Sequence, residues 1–260
     1  MIEVPAAGLA IAWGGHFLAG ACDAIAGGGG MIGLPALFLA GLPPHLALGT
    51  NKFSSTVGTL VSTWQLRRAV PLNGRLLWMA IPIAMGGSWM GAHTVLSLQP
   101  DQVELLIMGT IPLVMGLMWS SRSILRGKAT TPLSPPTAPP SPQGPATISG
   151  IAGLYDGAIG PGVGTFLMLG LHRWCGVSLM SASLHTKCIN LSTNIMALCV
   201  MLSAGKVMWG VAIGCAIANA SGAWVGTQLT VRWGETIIRR VLPWVMGGVV
   251  VTLVMRLVLA

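Results

Sequence analysis

Two lysines, Lys52 and Lys187, stand well inside stretches of the sequence that are otherwise uncharged and apolar enough for membrane helices. An ammonium group at that depth costs several kcal/mol unless it pairs or faces water, so it marks a candidate site. Because an ammonium group donates hydrogen bonds and carries positive charge, it favours an anionic ligand. The alternative is that each lysine only neutralises a neighbouring aspartate.

Hydroxyl, amide and imidazole side chains accompany both lysines. Such groups bind the oxygens of an oxyanion, and further polar residues (Ser54, Ser55, Asn194) follow along the same stretches. The substrate-binding residues predicted on these two stretches are Thr50, Asn51, Lys52, His185, Thr186, Lys187 and Asn190.

Two glycine-rich breaks, Gly27–Gly30 and Gly160–Gly164, interrupt other apolar stretches. Non-helical backbone inside a membrane is tolerated only where it is buried in protein or lines a polar cavity. A helix resumes after each break, and its first N–H groups and positive dipole end attract anions. The alternative is a notch for close helix packing, although Pro161 enforces the second break. The predicted anion-binding glycines are Gly28, Gly29, Gly30, Gly162 and Gly164.

Asp23 and Asp156 immediately precede the two breaks. They could pair with the lysines, cap the freed N–H groups or carry protons, and the sequence does not rank these roles. No metal and no cofactor is expected, since the five cysteines show no CxxC spacing.

The composition is that of a membrane protein. Of 260 residues, 53% are hydrophobic and 8% are charged, against about 25% charged in a soluble domain. Residues 76–100 and 207–231 contain no Asp, Glu, Lys or Arg, and about 20 apolar residues span a bilayer as a helix. The net charge of +8 lies mainly in short loops, which excludes nucleic acid as a partner and indicates a lipid bilayer. We expect an all-α polytopic membrane protein.

The chain is a duplicated unit. Asp23, Lys52 and the Gly87/Gly91 pair recur as Asp156, Lys187 and Gly222/Gly226, at offsets of 133, 135 and 135 residues. The GxxxG pairs let helices approach closely, within the protomer or at a homodimer contact. The predicted domains are a first transmembrane repeat (1–128), a Pro-rich linker (129–146) and a second transmembrane repeat (147–260).

Each repeat is predicted to be a Gly-broken helical hairpin followed by three transmembrane helices. Arginines cluster in the loops near Arg67, Arg75 and Arg232, and the positive-inside rule puts those loops and the linker in the cytoplasm. The two repeats are then inverted, as in many secondary transporters. The predicted hairpins are 6–41 and 147–171, and the predicted spans are 46–65, 76–98, 103–121, 178–202, 207–230 and 237–258.

A family resemblance is carried by the doubled motif. Asp23-x-x-Ala-Gly-Gly-Gly-Gly and Thr50-Asn51-Lys52, with Gly160-Pro161-Gly-Val-Gly164 and His185-Thr-Lys187, resemble the TauE/SafE sulfite exporter family over nearly the whole chain. The long proline linker departs from the more compact family pattern. The resemblance implies a permease of the bacterial inner membrane for sulfite, organosulfonates or related small anions.

The predicted function is therefore secondary transport of a small anion, as an exporter, by alternating access around a site in the middle of the membrane. One alternative is a passive anion channel. Another is an intramembrane carrier of sulfur compounds assisted by Cys22 or Cys188, which adjoin Asp23 and Lys187. An enzyme is not expected, because no HExxH motif or Ser-His-Asp arrangement stands out.

Overall fold

A computed structural model describes residues 4–120, 143–234 and 236–237, with backbone alone over 111–120 and at 143. Over this part of the chain the structure is helical and contains no strand. The helices are α1 (Ala6–Ala26), α2 (Gly30–Leu39), α3 (Pro44–Leu66), α4 (Gly74–Ser97), α5 (Pro100–Ser120), α6 (Gln143–Ala158), α7 (Val163–Cys175), α8 (Leu179–Ser203) and α9 (Trp209–Trp233).

Both glycine breaks interrupt helices as the sequence indicates. α1 ends at Ala26 and is followed by Gly27, whose φ of 79° is left-handed. α2 then turns back along α1, so that Ala40 lies against Gly8. In the second copy α7 folds back on α6, and Gly170 lies against Ile148. Each broken element is thus a hairpin whose two ends lie together.

The second hairpin begins earlier than predicted. α6 starts at Gln143, inside the stretch 129–146 that the sequence assigns to the linker. Pro145 did not prevent this start, because a proline in the first turn of a helix lacks only an N–H that would have no helical partner there. The predicted last span, 237–258, lies outside the described residues except at Ile237.

Glycines join α9 of the second half to α1 of the first. A Cβ atom on Gly222 would overlap the backbone of Phe17, and one on Gly226 would overlap the backbone of Ala21. Only glycine lets two helix backbones approach this closely.

The equivalent glycines join α4 to α6. A Cβ atom on Gly87 would come within 2.5 Å of the carbonyl oxygen of Gly150, and one on Gly91 would overlap the backbone of Leu154. Both GxxxG pairs are therefore used inside the protomer, each against the hairpin of the other half.

The equivalent helices α3 and α8 run antiparallel. The N–H of Met208, just beyond α8, donates to the Thr50 hydroxyl near the start of α3 (3.1 Å). The N–H of Asn73, just beyond α3, donates to Nε2 of His185 near the start of α8 (2.9 Å). Under the repeat offset of 135 residues these two contacts are each other's counterpart, which is the reciprocity that a two-fold relation produces.

The outer surface of the bundle carries large apolar side chains, among them Trp78, Leu105 and Ile151, which are 82%, 74% and 67% exposed. Among the described helices, only Ala6–Ala26 is both long and apolar enough to span a membrane by length and hydropathy. A buried core helix of a soluble protein can have the same length and hydropathy.

Candidate functional site

The tips of the two hairpins touch each other at the centre of the molecule. A Cβ atom on Gly27 would lie 2.6 Å from the carbonyl carbon of Gly164, so the two backbones are in direct contact. The Thr165 hydroxyl donates to the Ala26 carbonyl across this contact (2.7 Å). The Tyr155 hydroxyl donates to the Pro161 carbonyl and braces the second tip (2.7 Å). The breaks therefore form one junction between the halves.

A buried ion pair lies beside this junction. Nζ of Lys52 on α3 is 3.0 Å from Oδ1 of Asp156 on α6, and the two side chains are 2% and 4% exposed. The same ammonium group donates to Oδ1 of Asn194 on α8 (3.1 Å). A Cβ atom on Gly160 would come within 2.7 Å of the Asp156 carboxylate and 3.1 Å of the Lys52 ammonium. The glycine break thus leaves room for the pair.

The second carboxylate oxygen of Asp156 is also bonded. Oγ1 of Thr193 lies 2.6 Å from Oδ2 of Asp156, and it lies 2.9 Å from the Asn190 carbonyl oxygen on its own helix. Asp156 is therefore held by side chains of two helices, one in each half of the chain.

Lys187 pairs with Asp23 in the pseudo-equivalent position. Its ammonium nitrogen is 2.7 Å from Oδ2 of Asp23 and also donates to the Asp23 backbone carbonyl. That carbonyl accepts from the Gly27 N–H as well (2.9 Å), so Lys187 sits at the C-terminal end of α1, where a cation is favourable. Of the three roles considered for the aspartates, pairing with the lysines is the one observed. Within the described residues, capping by an aspartate is limited to one long contact, from the Gly29 N–H to Asp23 Oδ1 (3.5 Å).

A small polar cavity lies between the tips and helices α3, α8 and α9. About 20 Å³ is available in it to the centres of water molecules, which is room for one or two waters. Its amide side chains come from three helices, so a ligand there would be surrounded by hydrogen-bonding groups. The lining residues are Asp23, Gly27, Gly29, Gly30, Asn51, Lys52, Ser55, Thr59, Asp156, Gly160, Val163, Asn190, Asn194 and Asn219.

The cavity brings together part of the predicted set. Gly29, Gly30, Asn51, Lys52 and Asn190 line it. The predicted residues outside the lining are Gly28, Thr50, Gly162, Gly164, His185, Thr186 and Lys187.

Several of these residues outside the lining make contacts elsewhere in the fold. Thr50 and His185 accept the N–H groups of Met208 and Asn73, and Nδ1 of His185 donates to the Ser181 carbonyl (2.7 Å). Both ring nitrogens of His185 are therefore used in contacts within the fold, one as a donor and the other as an acceptor. Gly164 is packed against Gly27. The hydroxyl of Thr186 is buried without a partner among the described residues.

Sequence reasoning missed three polar residues near the cavity, one of which, Thr59, lines it from α3. Asn219 lines it from α9, and Thr193 bonds Asp156 behind it. Asn219 could have been noticed as an amide in a long uncharged stretch. Asn219 and Thr193 also break the repeat, since the residues 135 positions earlier are Ala84 and Gly58.

Neither cysteine of the sulfur-carrier alternative lines the cavity. Cys188 packs beside Leu66, Val70 and Leu184, and Cys22 packs against the main apolar core. No group of three or more His, Cys, Asp or Glu residues in the described chain is placed to hold a metal ion.

Paired hairpins with broken helices, touching beside buried ion pairs in a helical bundle, are consistent with a membrane transporter. The relationship of the chain to known proteins supports the same class. The chain belongs to the sulfite exporter TauE/SafE family, whose model matches residues 12–253.

Relatives of known name support the class. The chain is 32% identical to the probable membrane transporter protein ORF9 of a Sinorhizobium species, over 87% of this chain and 84% of the relative. It is 30% identical to a probable membrane transporter protein of Haemophilus influenzae, over 89% and 88% of the two chains. It is 32% identical to the probable membrane transporter protein YfcA of Escherichia coli, over 85% and 80%. No solved structure matches. The chain is thus a membrane protein whose relatives are named as transporters, a class that is generally distinct from enzymes.

Proposed function

We propose that this protein is a secondary transporter that exports a small oxyanion, such as sulfite or an organosulfonate, by alternating access around the cavity at the hairpin tips. The observation that carries the proposal is the buried ion pair of Lys52 and Asp156, which lines a cavity rich in asparagine side chains. A buried charge pair is weak support for stability, whereas ionisable residues inside a membrane bundle mark transport sites.

The groups around the cavity suit an anion. The Lys52 ammonium supplies positive charge, and the side-chain amides of Asn51, Asn190 and Asn194 supply donors to several oxygens at once. In this structure these groups bond one another: Nδ2 of Asn194 donates to Oδ1 of Asn190 (3.2 Å), and the Lys52 ammonium pairs with the Asp156 carboxylate. An anion would bind by replacing the Asp156 carboxylate on Lys52.

Inverted repeats in the bacterial inner membrane are part of this proposal. The antiparallel course of the equivalent helices α3 and α8 supports inversion, provided that both cross the bilayer. The Asn73–His185 bond brings the loop with Arg67 and Arg75 to the same end as the start of α8. Lys206 contacts Gly49 at the opposite end. With the arginine-rich end in the cytoplasm, the Pro-rich linker is also cytoplasmic.

The size of the cavity favours a carrier over a channel. A channel needs a continuous water-filled path, but the cavity holds one or two waters between tips that are in contact. Two reciprocal sets of contacts between the halves offer two ways to open, one toward each side of the membrane.

The test is anion binding by the purified full-length protein and by its lysine variants. Thermal shifts with sulfite, thiosulfate, taurine, sulfoacetate and small carboxylates identify a ligand, and uptake into proteoliposomes follows. Lys52→Ala should weaken binding about 100-fold, because a hydrogen bond to a charged group contributes about 1.5–3 kcal/mol.

Two other lysines provide the comparison. Lys187→Ala should weaken binding less than Lys52→Ala, since Lys187 does not line the cavity. Lys206→Ala, at a loop, should leave affinity unchanged. Unchanged affinity in the Lys52→Ala protein, or failure of every anion to bind, would overturn the proposed function.

A further inference from the structure

The two lysine–aspartate pairs occupy equivalent places in the repeat but have different surroundings. Asp156 has the hydroxyl of Thr193 at 2.6 Å. The residue equivalent to Thr193 in the first half is Gly58, where an added Cβ atom would overlap Oδ1 of Asn219. The space of a second hydroxyl is thus filled by an amide, and Asp23 has no counterpart of the Thr193 contact among the described residues.

The two lysines also differ in which of their hydrogen bonds can be exchanged for a bond to a ligand. Both Lys52 and Asp156 line the cavity, whereas in the other pair only Asp23 does. Lys187 bonds the carboxylate and the backbone carbonyl of the same residue, so it fastens the end of α1. Lys52 instead bonds two different helices, and one of those bonds can be exchanged without undoing a helix end.

The Thr193 hydroxyl is poised between two acceptors. It has one hydrogen, yet its oxygen is 2.6 Å from Oδ2 of Asp156 and 2.9 Å from the Asn190 carbonyl oxygen. If the hydrogen points to Asp156, the carboxylate is stabilised as an anion. If it points to Asn190, the hydroxyl oxygen faces Asp156 with a lone pair and accepts a hydrogen from a protonated carboxyl. The same geometry serves both protonation states.

Charge balance at the site requires a carboxylate that can take up a proton when an anion binds. The Lys52–Asp156 pair is neutral, so a monovalent anion added at Lys52 would leave one uncompensated negative charge on the buried Asp156 carboxylate, at a large free-energy cost. We propose that Asp156, and not Asp23, takes up one proton when a monovalent oxyanion binds at Lys52, with the Thr193 hydroxyl reversing its hydrogen bond. This inference rests on the proposed function.

The step balances in charge and atoms. A proton from solution joins Oδ2 of Asp156, the anion takes the place of the carboxylate on the Lys52 ammonium, and no other covalent bond changes. The ionisable groups around Asp156 are Lys52 from α3, Tyr155 beside it on α6, and Asp23 across the cavity. Each anion therefore moves together with one proton, and the Lys52–Asp156 pair with its bound anion stays neutral as the pair is without it.

Proton uptake on anion binding tests the inference directly. The full-length protein in detergent and weak buffer is titrated with methanesulfonate, which itself takes up no proton near neutral pH, and the pH change is recorded with the binding. We expect about one proton per bound anion in the unmodified protein. Asp156→Asn should bind methanesulfonate with no proton uptake, and the matched variant Asp23→Asn should still take up about one proton per anion.

Substitution of Thr193 tests the inference without removing the charge of Lys52 or of Asp156. Thr193→Val should shift the pH profile of methanesulfonate affinity, and Thr193→Ser should restore the profile. Thr63→Val, on the equivalent helix α3 but outside the cavity lining, should leave the position of the profile unchanged.

The outcomes separate the inference from the proposed function. Binding without proton uptake, uptake that persists in Asp156→Asn, or equal loss in both aspartate variants overturns the inference and leaves the transport proposal standing. Absence of binding of methanesulfonate and of every other anion overturns both.

Discussion

At the residue scale, the ionisable side chains act in pairs that connect the two halves of the chain. Lys187 and Asp23 are 164 residues apart in sequence, and Lys52 reaches across to Asp156 in the same way. Each lysine thus finds its aspartate in the opposite repeat. Neutral pairing explains how four ionisable groups are held inside an apolar bundle.

A charge-removal series at Lys52 tests this pairing. Lys52→Ala leaves the buried Asp156 carboxylate uncompensated and should lower the free energy of unfolding by about 3–5 kcal/mol. The double variant Lys52→Met/Asp156→Leu should be more stable than the single one, because apolar replacement of both partners leaves no buried charge. Thermal or denaturant unfolding in detergent measures both. A double variant less stable than Lys52→Ala would show that the pair is not an isolated charge couple.

At the element scale, glycines decide how the helices meet. The breaks let the two hairpin tips touch backbone to backbone. The GxxxG pairs hold α4 against α6 and α9 against α1, in each case the first helix of the opposite hairpin. The polar faces of α3 and α8 then surround the tips. The glycines thus permit close approach, and the helix starts that follow them reach the lining through Gly30 and Val163, whereas Gly28 and Gly162 do not line it.

Two adjacent glycines of α4 give a matched comparison. Gly87→Ala would press a Cβ atom onto the backbone of α6, and such overpacking costs about 1–3 kcal/mol. Gly86 has no atom within 4 Å of an added Cβ, so Gly86→Ala should be neutral or stabilise the helix by up to about 1 kcal/mol. Melting temperatures of the two detergent-purified variants report the difference. Equal melting temperatures would contradict the close approach of α4 and α6.

At the scale of the whole molecule, the contacts between the halves are reciprocal. The lysine–aspartate pairs, the GxxxG seams and the two helix-start bonds each occur twice with the halves exchanged. A two-fold relation within one chain accounts for all three sets. The GxxxG glycines that could have served a homodimer are occupied inside the protomer, and the prediction of a homodimer stays a prediction.

Opposite exposure of the C-terminal ends of α3 and α8 tests the proposed orientation. In a cysteine-free background, Ala204→Cys should react with a membrane-impermeant maleimide added to intact spheroplasts. Arg68→Cys should react only after the membrane is opened. Both residues are exposed at the ends of the bundle, so burial does not bias the comparison. Labelling of both variants, or of Arg68→Cys alone, in intact spheroplasts would contradict inverted repeats with an arginine-rich cytoplasmic face.

The sequence by itself determined the helical class, the two glycine breaks, the repeated lysines and the family resemblance. Each of these depends on local composition or on spacing along the chain, which a sequence records directly. Only the tertiary structure decided that Lys52 pairs with Asp156, that His185 supports a helix start instead of the cavity, and that Asn219 and Thr193 make the two halves different. Those facts depend on which residues of one half meet the other, and local preference carries no information about a contact between residues so far apart in the chain.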